Sequence, residues 1–417
     1  MRNSLLFYLI TLLLWPVSRS NPIETLVVLM MENHSFDHFL GQLKDIRPDV
    51  DGSDASMCNP IDTSDDEQIC VTHDGLFHTQ EPENFIPDVN QQIYNIPFGT
   101  SPAPDASPNM KGFVANYVRY RGKDKAAEIM QGLNQSTLPV LYTLVQEYAI
   151  SDRWFSSVPG STFPNRNFLH AATAGGVVNN DIPPLGYPLT TTFEKLHAIN
   201  VSYGIYSASP IPSTILYRYF RSPLRRPGTT MDQFYIDAEK GVLPSYTYIE
   251  PALFGVDQRL RNDQHPHAGS FYDIRRGELF YKQVYEALRA SPQWNNLLFL
   301  LVWDEHGGFF DHVAPPTDVA NPDGITDPSF DFTRLGIRVP AILISPWIPK
   351  GLLIPQTDIF EHSSVPSTLH ELFGMDHLTA RDRSARPFHT YANLSEPRTD
   401  CIKTLPNPAW QFDASYS

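Results

Sequence analysis

Cysteine is scarce in this sequence. Cys58, Cys70 and Cys401 are the only three, and no two of them form a Cys-x-x-Cys, so a structural zinc ribbon has no support. Basic patches interleaved with aromatics are also missing, and the formal net charge is −15, which argues against nucleic acid as a partner. The nearest approach to one is Arg218, Arg221, Arg225 and Arg226, which reads as a solvated loop. The same acidic balance argues against firm electrostatic docking on anionic membranes. Past the N-terminus no stretch is long and apolar enough to span a bilayer, so no stable membrane insertion is expected. Several active-site signatures are absent too. There is no G-x-S-x-G elbow, no G-x-G-x-x-G and no P-loop, and His370-Glu371 is followed by Gly374 where an H-E-x-x-H helix requires its second histidine.

What is present begins with a leader. Arg2 supplies a positive start, residues 5–15 are an unbroken apolar run, and Ser18 and Ser20 suit a signal peptidase. The run is shorter than the ~20 residues a spanning helix needs. Residues 1–20 are therefore expected to be a signal peptide, and the protein to be secreted. Residues 21–390 then form one catalytic domain, with a polar, Asp- and Pro-rich excursion over the surface at about 45–110 and a C-terminal tail at 391–417. The 37 prolines imply many fixed loops, which suits an elaborate enzyme surface. Outside the cell disulfides persist, and Cys58 with Cys70 is the expected pair, leaving Cys401 odd. Asn134, Asn200 and Asn393 stand in glycosylation sequons.

Short apolar runs at residues 25–31, 202–206, 246–249, 297–303 and 339–345 read as buried strands. Between them lie helical patterns at 138–148, 274–289 and 365–373, the first with Ser136 or Thr137 as cap and the last stopped by Gly374. Strands alternating with helices predict an α/β fold, a three-layer α/β/α sandwich around a mostly parallel central sheet.

In such sheets ligands sit beyond the carboxyl ends of the strands. Directly after residues 25–31 come Glu32 and Asn33, in MENHSFDHFLG; after residues 297–303 come Asp304 and Glu305, in WDEHGGFFDH. Either pair alone reads as a helix cap or a solvated loop. Together they place three carboxylates and an amide on one edge, where they repel one another unless protons or a hard divalent ion intervene. A divalent metal ion held by Glu32, Asn33, Asp304 and Glu305 is the expectation. A third segment, PGSTFPNRNFLHAATAGG, sets Pro164 in the first turn of a helix with Ser161 or Thr162 at its cap. In isolation that is an ordinary cap. Beside an acidic edge, a hydroxyl at the positive end of a helix can become a nucleophile while the free N–H groups cradle a phosphate. Arg166 is expected to grip the phosphate, with Asn165 beside it, since a guanidinium matches phosphate geometry. His265 and His267, in NDQHPHAG, and His78, in DGLFHTQ, sit in polar loops; His78 and His265 are catalytic candidates and His267 a substrate-binding one. His362 is a weaker candidate. Residues 217–220 with Phe309 and Phe310 are candidates for an apolar lip.

The segments ENHSFDHFLG, GSTFPNRNF, DQHP and WDEHGGFFDHV, in that order, resemble the phosphoesterase family of non-specific phospholipases C and related acid phosphatases. GIRVPAILISPW, EHSSVPSTL and LTARD extend the resemblance over residues 23–383. It implies an alkaline-phosphatase-like fold, Glu32/Asn33 and Asp304/Glu305 as metal pairs, Thr162 as the nucleophile, and His78 and His265 lining the pocket. Asn33 is then a sequon by accident, because a glycan there blocks the pocket. The implied activity is hydrolysis of phosphate esters, including phospholipid. The plant phospholipases resembled continue past the catalytic domain whereas this sequence stops at Ser417, so a soluble acid phosphatase acting on phosphomonoesters stands as the alternative. A non-catalytic secreted binding protein on the same scaffold is the remote one, since every motif residue is present.

Overall fold

The computed structural model describes residues 21–409 except 63–66, 76–79, 104, 223, 227, 254, 256, 258–259 and 267–272. The expected signal peptide, His78 and His267 lie outside the described residues. The strands are β1 (Thr25–Met31), β2 (Cys58–Pro60), β3 (Gln68–Cys70), β4 (Ala149–Ile150), β5 (Tyr203–Ser207), β6 (Thr229–Thr230), β7 (Tyr246–Glu250), β8 (Leu297–Trp303) and β9 (Ala341–Ile344). Seven of them form one sheet in the order β4-β9-β8-β1-β7-β5-β6. From β8 to β6 every pairing is parallel, and β9 and β4 close the other side antiparallel.

Every residue of β1 and β8 is buried. Successive side chains of a strand point to opposite faces, so both faces of the sheet are covered, and the apolar composition of these runs follows from that. This is the α/β/α arrangement with a mostly parallel sheet. Among the covering helices are Pro139–Glu147, Thr162–Ala171, Arg275–Ala290 and Ser364–Phe373. Gly374 ends the last of these in a left-handed conformation, as its position suggested. Neither Ser136 nor Thr137 caps Pro139–Glu147; Leu138 stands there, while the Thr137 hydroxyl accepts from Asn134 N and closes the preceding turn.

The described residues of the 45–110 excursion hold more regular structure than its weak periodicity suggested. β2 and β3 form a hairpin joined by the Cys58–Cys70 disulfide, and Cys401 is buried and free. The Ile86–Tyr94 helix contributes Val89 and Ile93 to a second small core with Phe113, Tyr117, Phe309 and Phe310. Phe309 and Phe310 are therefore core residues, and so are Tyr217 and Phe220, packed in the main core. The apolar lip expected from them is not there, because these rings fill the interior beneath the loops. Of the sequons, Asn200 and Asn393 are exposed, whereas Asn134 is half-buried with its amide donating to the His73 carbonyl.

Candidate active site

The acidic edge is a consequence of strand register. β1 and β8 pair from Thr25↔Leu297 to Met31↔Trp303 and end together. Their next residues, Glu32 and Asp304, are thus neighbours at the spacing of adjacent strands, about 5 Å. Asp304 N donates to Met31 O at 3.2 Å, and Asp304 Oδ1 accepts from Asn33 N at 3.4 Å and Glu305 N at 2.8 Å. Asn33 itself is left-handed, with φ of 45°. The turn after β8 needs two glycines. Gly307 and Gly308 are also left-handed, and a Cβ would lie 2.1 Å from the Asn33 carbonyl oxygen at Gly307 and 2.5 Å from that of Glu83 at Gly308.

All four expected metal-site residues are buried and converge here. Glu305 accepts from Asn84 Nδ2 and from Gly307 N, both at 2.6 Å. Glu32 Oε2 and Asn33 Oδ1 are buried without a hydrogen-bond partner. Burial pushes the Asp304 carboxyl well above the ordinary range, reinforced by the charge on Glu32; burial does the same to Glu305. For Glu32 burial also pushes upward and is the largest single effect, but Arg166, His265, Arg261 and the contact with Asp304 together outweigh it and leave the group below its usual value.

Arg166 stands elsewhere than expected. Its guanidinium lies between the two strand ends: Nη2 is 2.7 Å from Glu32 Oε1, Nε 3.1 Å from Asp304 Oδ2, and Nη1 donates to Tyr248 Oη at 3.1 Å. Nη2 also reaches the Met30 and Met31 carbonyls. With its donors so engaged, Arg166 acts as the internal counter-ion of the carboxylates. Asn165 is likewise turned inward. Its Oδ1 accepts from Val158 N and its Nδ2 donates to the carbonyls of Val158, Gly160 and Ser161, which pins the turn before the helix.

That turn delivers Thr162 as the first residue of Thr162–Ala171, with Ser161 as N-cap. Ser161 Oγ is buried and makes no cap bond; Asn180 Oδ1 supplies one to Phe163 N instead. Thr162 is 8% exposed. It lies four residues before Arg166, on the same helix face, one turn closer to the N-terminus. Of the first-turn backbone donors, Phe163 N is taken by Asn180 Oδ1 and Pro164 has none, so the helix start offers a ligand the N–H of Thr162 itself, at the positive end of the helix dipole.

His265 is held to the site by its loop. Glu32 N donates to Asp263 O, Trp303 Nε1 donates to Gln264 Oε1, and a His34 ring nitrogen is 2.8 Å from Gln264 O. Burial keeps the His265 imidazole below its usual value, and its Nε2 is 3.4 Å from Glu81 Oε1. Burial, then the charge of Glu83, pushes Glu81 up to about 7. His362 is buried, with Nε2 2.6 Å from the Asp304 carbonyl, so it braces the strand end. Sequence reasoning missed Glu81, Asn84 and Tyr248. The first two sit in the polar excursion, where no period marks them, and Tyr248 reads only as a strand residue.

Among the described residues a second acidic group, Asp37, Asp311 and His312, brings atoms of metal-ligand type within 4.8 Å of one another. Arg338 already lies against both carboxylates, at 3.1 Å from Asp37 and 2.9 Å from Asp311, and His312 bridges Asp37 and Asp51 at 2.6 and 3.0 Å. This network ties the ENHSFDHFLG segment to WDEHGGFFDHV.

Residues 23–376 match the Phosphoesterase family. The chain is 42% identical to non-specific phospholipase C3 of Arabidopsis thaliana, over 93% of this chain and 77% of that protein. It is 27% identical to phospholipase C B of Mycobacterium tuberculosis, over 92% and 82% respectively. A protein in the alkaline phosphatase superfamily from Vibrio parahaemolyticus is a distant structural likeness, with a TM-score of 0.34 at 13% identity, covering 63% of this chain and 64% of that one. With the match spanning the strand ends, the Thr162 helix and the His265 loop, the chain belongs to the phosphoesterase family and is a hydrolase acting on phosphate ester bonds.

Proposed function

We propose that the protein is a secreted phospholipase C-type phosphoesterase that attacks phosphorus with Thr162. The observation that carries this reading is the placing of Thr162 at the first position of a helix whose next turn, through Arg166, rests on Glu32 and Asp304. The similarity to plant and bacterial phospholipases C supports phospholipid as the substrate class.

Thr162 Oγ1 attacks phosphorus in line, forming a P–O bond as the bond to the leaving alcohol breaks, and its proton passes to a neighbouring base. The Thr162 N–H, with the positive end of the helix dipole, stabilises the equatorial oxygens, where negative charge accumulates. The His265–Glu81 pair, with Glu81 near 7, holds a proton for the departing alkoxide. Water then cleaves phosphothreonine and restores the hydroxyl. The site suits a divalent cation: Glu32 Oε2 and Asn33 Oδ1 lack partners, and of three buried carboxylates only Glu32 and Asp304 pair with the Arg166 guanidinium. Glu32, Asn33, Asp304 and Glu305 would hold it. Once bound, such an ion supplies positive charge to the phosphoryl oxygens and favours the alkoxide form of the attacking hydroxyl.

The test is Thr162→Ala, assayed on phosphatidylcholine vesicles and on a soluble phosphomonoester, with Thr162→Ser alongside. The alanine variant is expected to fold normally and lose about 10⁴-fold in turnover, while serine retains activity. An alanine variant within tenfold of the parent would refute the nucleophile. Turnover of the monoester alone would favour the acid phosphatase reading.

A further inference from the structure

The segment between β5 and β6 carries a concentration of positive charge that the catalytic reading does not use. It leaves the carboxyl end of β5 and returns to pair Thr229 with Tyr206, so both its ends lie on the edge of the sheet that bears Glu32 and Asp304. An aromatic chain links it to the Thr162 helix: Phe163 meets Tyr187, Tyr187 meets Tyr217, and Tyr217 Oη donates to Asn167 Oδ1 at 2.6 Å. Arg218, Arg221 and Arg226 are exposed, and Arg225 lies over the Tyr219 ring at 3.9 Å. Between these arginines Leu224 is 93% exposed. An open groove of about 600 Å³ runs beside it, lined by His197, Tyr203, Ser222, Leu224, Arg225 and Arg226; it reaches Tyr203 and Gly204 at the amino end of β5, so it is separate from the Glu32–Asp304 edge.

Exposed aliphatic residues continue onto the adjoining turn. Leu185 and Ile215 are both exposed, and their segments touch, with Tyr187 N donating to Leu216 O at 2.7 Å and Arg221 Nη1 to Pro184 O at 3.3 Å. An isolated exposed leucine needs no explanation. The overall charge of −15 opposes anionic surfaces, and this segment, which the sequence alone reads as a solvated loop, is the local exception: aliphatic side chains interleaved with arginines have the composition of an interfacial surface. The apolar groups enter the acyl boundary while the guanidinium groups meet headgroup phosphates. A soluble phosphate would satisfy the arginines but leave Leu185, Ile215 and Leu224 without a role.

We infer that this face docks the protein on an anionic phospholipid bilayer, with the groove between Arg225, Arg226 and His197 taking a headgroup phosphate. The inference deepens the phospholipid reading above and rests on it for the substrate, though not for the binding itself.

The full chain would be sedimented with vesicles of phosphatidylcholine alone and of phosphatidylcholine mixed with phosphatidylserine. Leu224→Asp and the double variant Arg225→Glu/Arg226→Glu would be compared with the parent, and turnover of a water-soluble phosphate ester would report the catalytic site in each. Phosphatidylserine is expected to strengthen binding, and each variant to lower it by about tenfold or more, with soluble-ester turnover within about twofold of the parent. Binding indifferent to phosphatidylserine, or unchanged in both variants, overturns the docking face. So does a parent that ignores the vesicles but binds an acidic peptide through the same residues, since the partner is then a protein. A parent that binds the mixed vesicles through these residues, leaves their lipid intact and still turns over the soluble ester supports the docking face and overturns the phospholipid substrate reading.

Discussion

Removing the Arg166 guanidinium should destabilise the protein before it weakens substrate binding. The group is 2% exposed and lies against Glu32 and Asp304, with Glu305 also buried nearby. An ion pair at contact distance is worth at most about 4–5 kcal/mol at an effective dielectric of ~20, and desolvation offsets much of it. Taking away one partner is another matter, because it strands the other charge, and such losses run to about 3–5 kcal/mol. Arg166→Gln should therefore lower the urea midpoint by a shift corresponding to about that range, measured with a chelator present so that no cation substitutes. The double variant Arg166→Gln/Glu32→Gln should recover part of the loss, giving a coupling energy of about 1.5 kcal/mol or more. If Arg166 instead gripped the substrate phosphate, KM would rise while the midpoint stayed put. A midpoint unchanged in Arg166→Gln, or single losses that simply add, would refute the counter-ion role.

Two further outcomes follow from the geometry. Gly307→Ala combines a left-handed φ of 65° with a Cβ 2.1 Å from the Asn33 carbonyl oxygen, so one strand end must shift; a loss of about 2 kcal/mol or more and most turnover is expected, and parental stability and rate in this variant would contradict it. His312 is opposed by burial but raised to about 9 by its bonds to Asp37 and Asp51. Its contribution is therefore complete below its unfolded value of 6.5 and lost as pH rises through about 9, by about 1–2 kcal/mol once screening at a side chain 19% exposed is allowed for. Urea midpoints across that range should fall in the parent and stay flatter in His312→Gln; parallel curves would exclude His312 as the source.

The sequence by itself determined the sheet and its chemical edge. Residues 25–31 and 297–303 are so uniformly apolar that only strands covered on both faces accommodate them, and their bounds match β1 and β8. Because ligands gather beyond the carboxyl ends of parallel strands, Glu32, Asn33, Asp304 and Glu305 were legible as neighbours on one sheet edge, where the structure buries them together. The helix starting at Thr162 was legible too, since Pro164 suits a first turn. Which way a side chain turns was not, and only the tertiary structure decided it. Arg166 and Asn165 carry the right groups for phosphate, yet one pairs with Glu32 and Asp304 and the other with loop carbonyls. Those partners lie far along the chain or on a turn whose shape no local pattern records. Phe309 and Phe310 face a small core built from residues near 90 and 113, which sequence periodicity could not bring to them. Glu81 and Asn84 reach the site from an aperiodic excursion, so only their contacts with His265 and Glu305 reveal them. Residue type and strand period specify which groups reach the edge; long-range packing decides which of them face each other and which remain open to a ligand.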